Sequence, residues 1–335
     1  MPPASPPDEG DLPGNAGPET GYGDGLLIRF HRGDFRITVL DTGSLWLDGG
    51  AMFGVVPRSL WEKERRPDDR NRIRLGVHAL LLEDGRRTVL VDTGAGGRWD
   101  AKARDIYGLE TREPAEYLAE AGLGPDRIDL VVNTHLHFDH AGGNVARGAG
   151  GDPVPAFPNA AYLVQRGELE FARSANERTR ASYRPDDFEP LASLGMLRLL
   201  DGDADLGGGL ELRVAPGHTP HLQVPVVSTG EGKVAFLSDL VPMTSHLPYP
   251  YVMGYDVEPL RTVESKKRIL PEAARDGWIL VFQHDGETPL ATLAEESGKL
   301  AARPFRDRGR GEAGADAGHR DRAVDPGALP REDLP

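Results

Sequence analysis

The sequence predicts an α+β protein of packed β-sheets with helices on the outside. Three observations carry that expectation. Short apolar runs bounded by turn residues recur through residues 25–300. Only two stretches show clear helical periodicity. The early part reads mostly strand-turn-strand, and helices become common later, which suits layered sheets rather than a bundle.

In chain order, LLIRF (26–30) and FRITVL (35–40) read as strands, followed by HALLL (78–82) and TVLVDTG (88–94). EPAEYLAEAG (113–122) reads as a helix, with Pro114 at an early helical position where its missing N–H costs nothing. IDLVVNT (128–134), AAYLVQ around 161–165, the strand-like LELRVA (210–215), KVAFLSDL (233–240) and WILVFQHD (278–285) follow as strands. PLRTVESKKRILPEAA (259–274) is the second helix, and its basic run Lys266, Lys267 and Arg268 reads as a solvated face. Residues 1–24 and 303–335 are rich in Pro, Gly and charge. They bury too little apolar surface to offset their ordering entropy and are expected to be disordered. One folded domain is therefore expected over 25–302.

Composition excludes several functions. The chain has no cysteine, so disulfides, thiolate nucleophiles and Cys-containing zinc sites are ruled out. Its net charge of -14 argues against a nucleic-acid partner. No run approaches the roughly 18 apolar residues of a membrane span, so no membrane partner is expected. The N-terminal residues lack a basic segment followed by an apolar one, which makes the cytoplasm the expected location.

The chemistry concentrates in NTHLHFDHAGGN (133–144), which follows a buried strand. Side chains alternate along an extended segment, so His135 and His137 face the same way. Asp139 and His140 then turn toward a neighbouring point, and the AGG that follows allows close backbone approach. Neutral imidazole and carboxylate suit zinc, iron, cobalt or manganese. Further candidates each follow an apolar strand: His218 in PGHTPHL, Asp239 in FLSDL and His284 in VFQHD. Ligands at strand ends share one edge of a rigid scaffold.

Taken together, these residues resemble the metallo-β-lactamase-fold hydrolases, in the motif order Asp92, His135/His137/Asp139/His140, His218, Asp239 and His284. LDGGAMFGVVPRSLW (47–61), THLHFDHAGG and VMGYD (252–256) are similar to quorum-quenching N-acyl-homoserine-lactone lactonases of the YtnP type; methyl-parathion-hydrolase-like enzymes are a more distant likeness. The resemblance implies a four-layer αββα sandwich with two divalent metal ions, zinc being the first choice and manganese, cobalt or iron the others. It implies that His135, His137 and His218 hold one ion, that Asp139, His140 and His284 hold the other, that Asp239 bridges, and that Asp92 orients a ligand from behind. The chain departs from the family in reading GHTPHL where GHTxGH is common. His221 stands at the glycine position and is read as exposed or supporting a ligand rather than coordinating.

The implied reaction is hydrolysis of a lactone by a hydroxide shared between the two ions, with the second ion polarising the carbonyl. Asp139 is either a proton donor to the leaving alkoxide or purely a ligand. Met52 and Phe53 either wall the substrate pocket or pack the core, while His246 and Tyr255 are candidate substrate contacts. A phosphotriester or another ester is the alternative substrate for the same site, and a non-catalytic metal sensor the more distant alternative. A homodimer stays open.

Overall fold

The computed structural model describes residues 27–306, so the segment 1–24 expected to be disordered, and most of the expected C-terminal tail, lie outside the described residues. The chain begins with β1 (Leu27–Arg32) and the long β2 (Phe35–Asp48). Two short helices, α1 (Gly49–Phe53) and α2 (Arg58–Trp61), lead into β3 (Arg72–Glu83) and β4 (Thr88–Val91). After α3 (Ala101–Tyr107), β5 (Glu110–Thr111) and α4 (Pro114–Glu120) comes β6 (Leu130–Val132), then α5 (Phe138–Ala141). A small pair, β7 (Val145–Arg147) and β8 (Pro153–Pro155), precedes β9 (Ala161–Gln165), α6 (Arg166–Arg173), α7 (Glu189–Ser193) and β10 (Leu197–Leu200). These strands form a sheet in the order β1-β2-β3-β4-β6-β9-β10, with β5 on β2.

The second sheet runs in chain order: β11 (Ala204–Asp205), β12 (Leu210–Val214), β13 (Gln223–Thr229), β14 (Gly232–Phe236), β15 (Ile279–Val281), β16 (Leu290–Glu296) and β17 (Lys299–Pro304). Helix α8 (Pro259–Arg275) lies in the crossover between the parallel neighbours β14 and β15. The last strand carries the ordered chain slightly past the expected boundary at residue 302, because β17 pairs along β16 and Phe305 packs on Phe30.

Three cores define four layers. Ile37, Val39, Leu80, Leu82, Val89 and Val91 of the first sheet meet Leu212, Val227, Phe236 and Val281 of the second. On the far side of the first sheet, Ala79, Leu81 and Leu90 pack against Tyr117 and Leu118 of α4 and Leu191 of α7. On the far side of the second, Val224, Val226, Ala235 and Leu280 pack against Ile269, Leu270 and Ala273 of α8. This is the expected αββα sandwich. Both faces of β3 are covered, which is why HALLL is continuously apolar rather than alternating.

The helix α8 corrects one expectation. Lys266 is not on a solvated face but completely buried, whereas Lys267 and Arg268 are exposed. Charge-run reasoning failed because Ile269, Leu270 and Ala273 turn that side of the helix inward.

Beyond α5 the backbone packs directly against the turn that follows β4. A Cβ on Gly142 would lie 2.3 Å from Ala95 O, and one on Gly143 would lie 2.2 Å from Thr93 O. Gly142→Ala and Gly143→Ala are each expected to destabilise the protein by about 2 kcal/mol, read from urea unfolding. Gly230→Ala, where no atom lies within 4 Å of the added Cβ, should change stability by less than about 0.5 kcal/mol. Equal effects at all three sites would contradict the close backbone approach.

Candidate metal centre

Strand direction brings the candidate residues to one edge. β4 and β6 run parallel, so the residues after Val91 and after Val132 leave the sheet on the same side. β14 and β15 are likewise parallel, so Asp239 and His284 emerge together. His218 follows β12 through a turn in which Gly217 (φ +148°) sits against Thr262. The HLHFDH segment is not extended throughout: His137 caps α5, and Asp139 and His140 lie on that single helical turn.

The sheets are fastened to each other at this edge. Gly76 N donates to His284 O (3.2 Å) and His78 N to Gln283 O (3.1 Å). Gln223 N donates to Thr134 O (3.0 Å), and its side chain to Asn133 O (2.8 Å).

Five imidazoles and two carboxylates converge there, all buried. The side-chain ligand atoms of His135, His137, His218 and Asp239 lie within 4.8 Å of one another, as do those of Asp139, His140 and His284. His218 Nε2 is 3.0 Å from Asp239 Oδ2 and 3.0 Å from His137 Nδ1. His284 Nε2 is 3.1 Å from Asp239 Oδ1 and 3.5 Å from Asp139 Oδ2. His140 Nε2 is 3.5 Å from Asp239 Oδ1. Asp239 thus touches both groups.

The backs of the rings are fixed. His284 Nδ1–H donates to Gly76 O at 2.8 Å; a carbonyl only accepts, so Nε2 is the nitrogen left facing the carboxylates. His140 Nδ1 lies 2.8 Å from Asp92 Oδ2, and His218 Nδ1 lies 2.9 Å from Asp256 Oδ1. Such carboxylate backing directs the Nε2 lone pair inward. Asp92 itself is held at φ +55° and accepts from Thr134 N and Thr134 Oγ1, both at 2.8 Å. Asp256 was not foreseen. The VMGYD motif contains it, yet nothing local in the sequence ties it to His218.

The electrostatics show what the cluster lacks. Burial pushes His218 down, but Asp239 and then Asp256 outweigh it and hold the ring at about 10. Burial likewise opposes His140 and His284, and Asp239 heads the charges that raise both. His135 and His137 go the other way, driven down by burial and by neighbouring imidazoles. His135 Nε2 is buried without a hydrogen-bond partner, and His140 Nε2 and Asp239 Oδ1, satisfied by no neutral donor, have only charged contacts, among them each other and His284. Orphaned buried polar atoms are costly; divalent cations would satisfy all three. A donor set of nitrogen and oxygen alone fits zinc, manganese, cobalt or iron.

A cleft opens onto the cluster, walled by Leu47, Met52, Leu75, Phe138 and Met253, with Tyr107 and Tyr255 adding hydroxyls. Met52 and Tyr255 line it. Phe53 and His246 do not. Phe53 is fully buried, stacked between Trp61 (5.6 Å) and His246 (4.7 Å). His246 donates Nε2–H to Met52 O at 2.8 Å and supports the wall from behind. Both look like substrate contacts in sequence because they flank residues that are at the wall. His221 is half-buried against Gly167 and makes no hydrogen bond to the cluster among the described residues. Leu222, at the position of the family's second histidine, is core.

A family model, the metallo-beta-lactamase superfamily, matches residues 72–284. The chain belongs to that superfamily. Its homologues are metal-dependent hydrolases, and the chain is an enzyme of that kind. It is 26% identical over 238 residues to an N-acyl homoserine lactonase of Bacillus cereus, covering 65% of this chain and 84% of that one. A probable metal-dependent hydrolase from Staphylococcus aureus superposes with a TM-score of 0.77 at 28% identity, covering 83% of this chain and 99% of that one. The dizinc quorum-quenching lactonase AidC, at 20% identity and a TM-score of 0.71 over 84% and 98% of the two chains, shares the fold. Among the described residues no helix is long and apolar enough to cross a membrane.

Two outcomes are expected. Loading the metal-free protein with divalent cations at pH 7.5 should release protons, since the raised histidines must give theirs up; a pH-indicator titration reads this. Asp256→Asn should weaken cation affinity by about 10–100-fold in chelator competition. Wild-type affinity in that variant would show that Asp256 does not govern His218.

Proposed function

We propose that this chain is a dinuclear metal-dependent hydrolase that opens a lactone ring, with an N-acyl-homoserine lactone as the leading substrate and zinc as the leading metal. The observation that supports this reading is the convergence of five imidazoles and two carboxylates at the floor of an apolar cleft. His135, His137 and His218 would hold one ion and Asp139, His140 and His284 the other, with Asp239 reaching both. Bound there, the ions would supply Lewis acidity and lower the pKa of water from about 15.7 toward about 7.

The protein's own groups account for the rest. Asp92 and Asp256, with Gly76 O, hold imidazoles in the tautomer that faces inward. Leu47, Met52, Leu75, Phe138 and Met253 suit an acyl chain and exclude water. Burial raises Tyr255 above the ordinary phenol value, so its hydroxyl stays protonated and can donate to a substrate carbonyl. Asp139, at the cleft floor, can carry a proton to the departing alkoxide. The N-acyl homoserine lactonases among its relatives support the substrate class.

A panel of acyl-homoserine lactones, aryl esters and aryl phosphotriesters, followed by pH change or chromophore release, tests the proposal. Lactone turnover should vanish on chelation and return with zinc, manganese or cobalt. Phosphotriester turnover with intact lactones would overturn the substrate assignment.

A further inference from the structure

The loop from His246 to Asp256 forms one side of the cleft. It contributes Met253 and Tyr255 to the wall and Asp256 to His218. Past its opening turn this segment has no helix or strand, and its few internal bonds (Tyr251 N to Pro248 O, Val252 N to Pro250 O, Asp256 N to Met253 O) leave other carbonyls to find donors elsewhere. Two basic side chains from different elements provide them. Lys266, fully buried on α8, donates from Nζ to His246 O (2.6 Å), Pro248 O (2.8 Å) and Tyr251 O (3.0 Å). Those three bonds use every proton an ammonium has. Arg178, exposed on the segment after α6, donates from Nη2 to Gly254 O (2.8 Å) and Asp256 O (2.8 Å).

Lys266 is an expensive choice for that position. Among the described residues no carboxylate forms an ion pair with it, and a buried unpaired cation is unfavourable where Met or Leu would fit. Its hydrogen bonds go entirely to the loop's carbonyls. We propose that Lys266 and Arg178 are positioning residues, a two-point clamp that fixes the 246–256 loop and so sets the cleft wall and the aim of Asp256. Burial draws the Lys266 ammonium down to about 7 against the pull of Asp256, which is the cost of holding a charge among neutral acceptors.

The clamp rests on the hydrolase reading only for its kinetic arm. Lys266→Met and Arg178→Gln would be prepared in the full chain with metal in excess, and amide exchange followed by mass spectrometry. Peptides covering 249–257, whose amides of Tyr251, Gly254, Asp256 and Val257 are hydrogen-bonded, should exchange at least tenfold faster in each variant. Peptides from β3 and from the HLHFDH segment should not change. In the kinetic arm, KM should rise more than kcat falls, and the preference between short and long acyl chains should flatten. Arg178→Lys should restore part of both. Because Arg178 is exposed, its variant decides the matter even if Lys266→Met folds poorly. Unchanged loop exchange in Arg178→Gln, or acceleration spread evenly over the protein, would overturn the clamp. Absence of lactone turnover in the wild type would sink the substrate reading while leaving the exchange result to judge the clamp.

Discussion

Seven side chains that prefer water are held out of it, and everything near them is arranged to make that tolerable. Asp139 and Asp239 face each other across imidazoles whose outer nitrogens are already committed. Two carboxylates brought this close call for positive charge between them. Raised His140, His218 and His284 supply some of it as protons. Yet protons satisfy one nitrogen each, and His135 Nε2 remains orphaned. Divalent cations meet several donors at once, which is why the geometry favours them.

The fold meets this demand by using strand ends as fixed points. Parallel pairing of β4 with β6, and of β14 with β15, places pairs of ligand-bearing turns side by side. Hydrogen bonds from Gly76 and His78 to the backbone of Gln283 and His284 then set the distance between the sheets where the ligands meet. The substrate wall is built differently, from loops joined by long-range side-chain contacts. The floor is therefore rigid by topology, and the wall is shaped by individual residues.

That difference explains what the sequence revealed. His135, His137, His140, His218, Asp239 and His284 were legible because each follows an apolar run, and a strand end is a local signal. The layered α+β architecture was legible for the same reason. Asp256 was not, since its contact with His218 spans 38 positions and depends on the loop's path. Phe53, left open between wall and core, packs the core, and His246 stands behind the wall, because sequence shows neighbours and not which of two adjacent side chains turns toward the cleft. Lys266 was misread because charge signals solvent in composition, while its surroundings are three carbonyls contributed by another segment. The strand β17 escaped because it is set by pairing with β16 rather than by a pattern of its own.

The ligand set is divided between the sheets: the first carries four members after β6, and the second carries His218, Asp239 and His284. Any ion seated there is also a rivet through the seam of the sandwich. Losing it would loosen the docking of two halves rather than empty a surface cup. A cell short of metal would then hold a protein that is not merely idle but easier for proteases to open, so its abundance would follow metal supply.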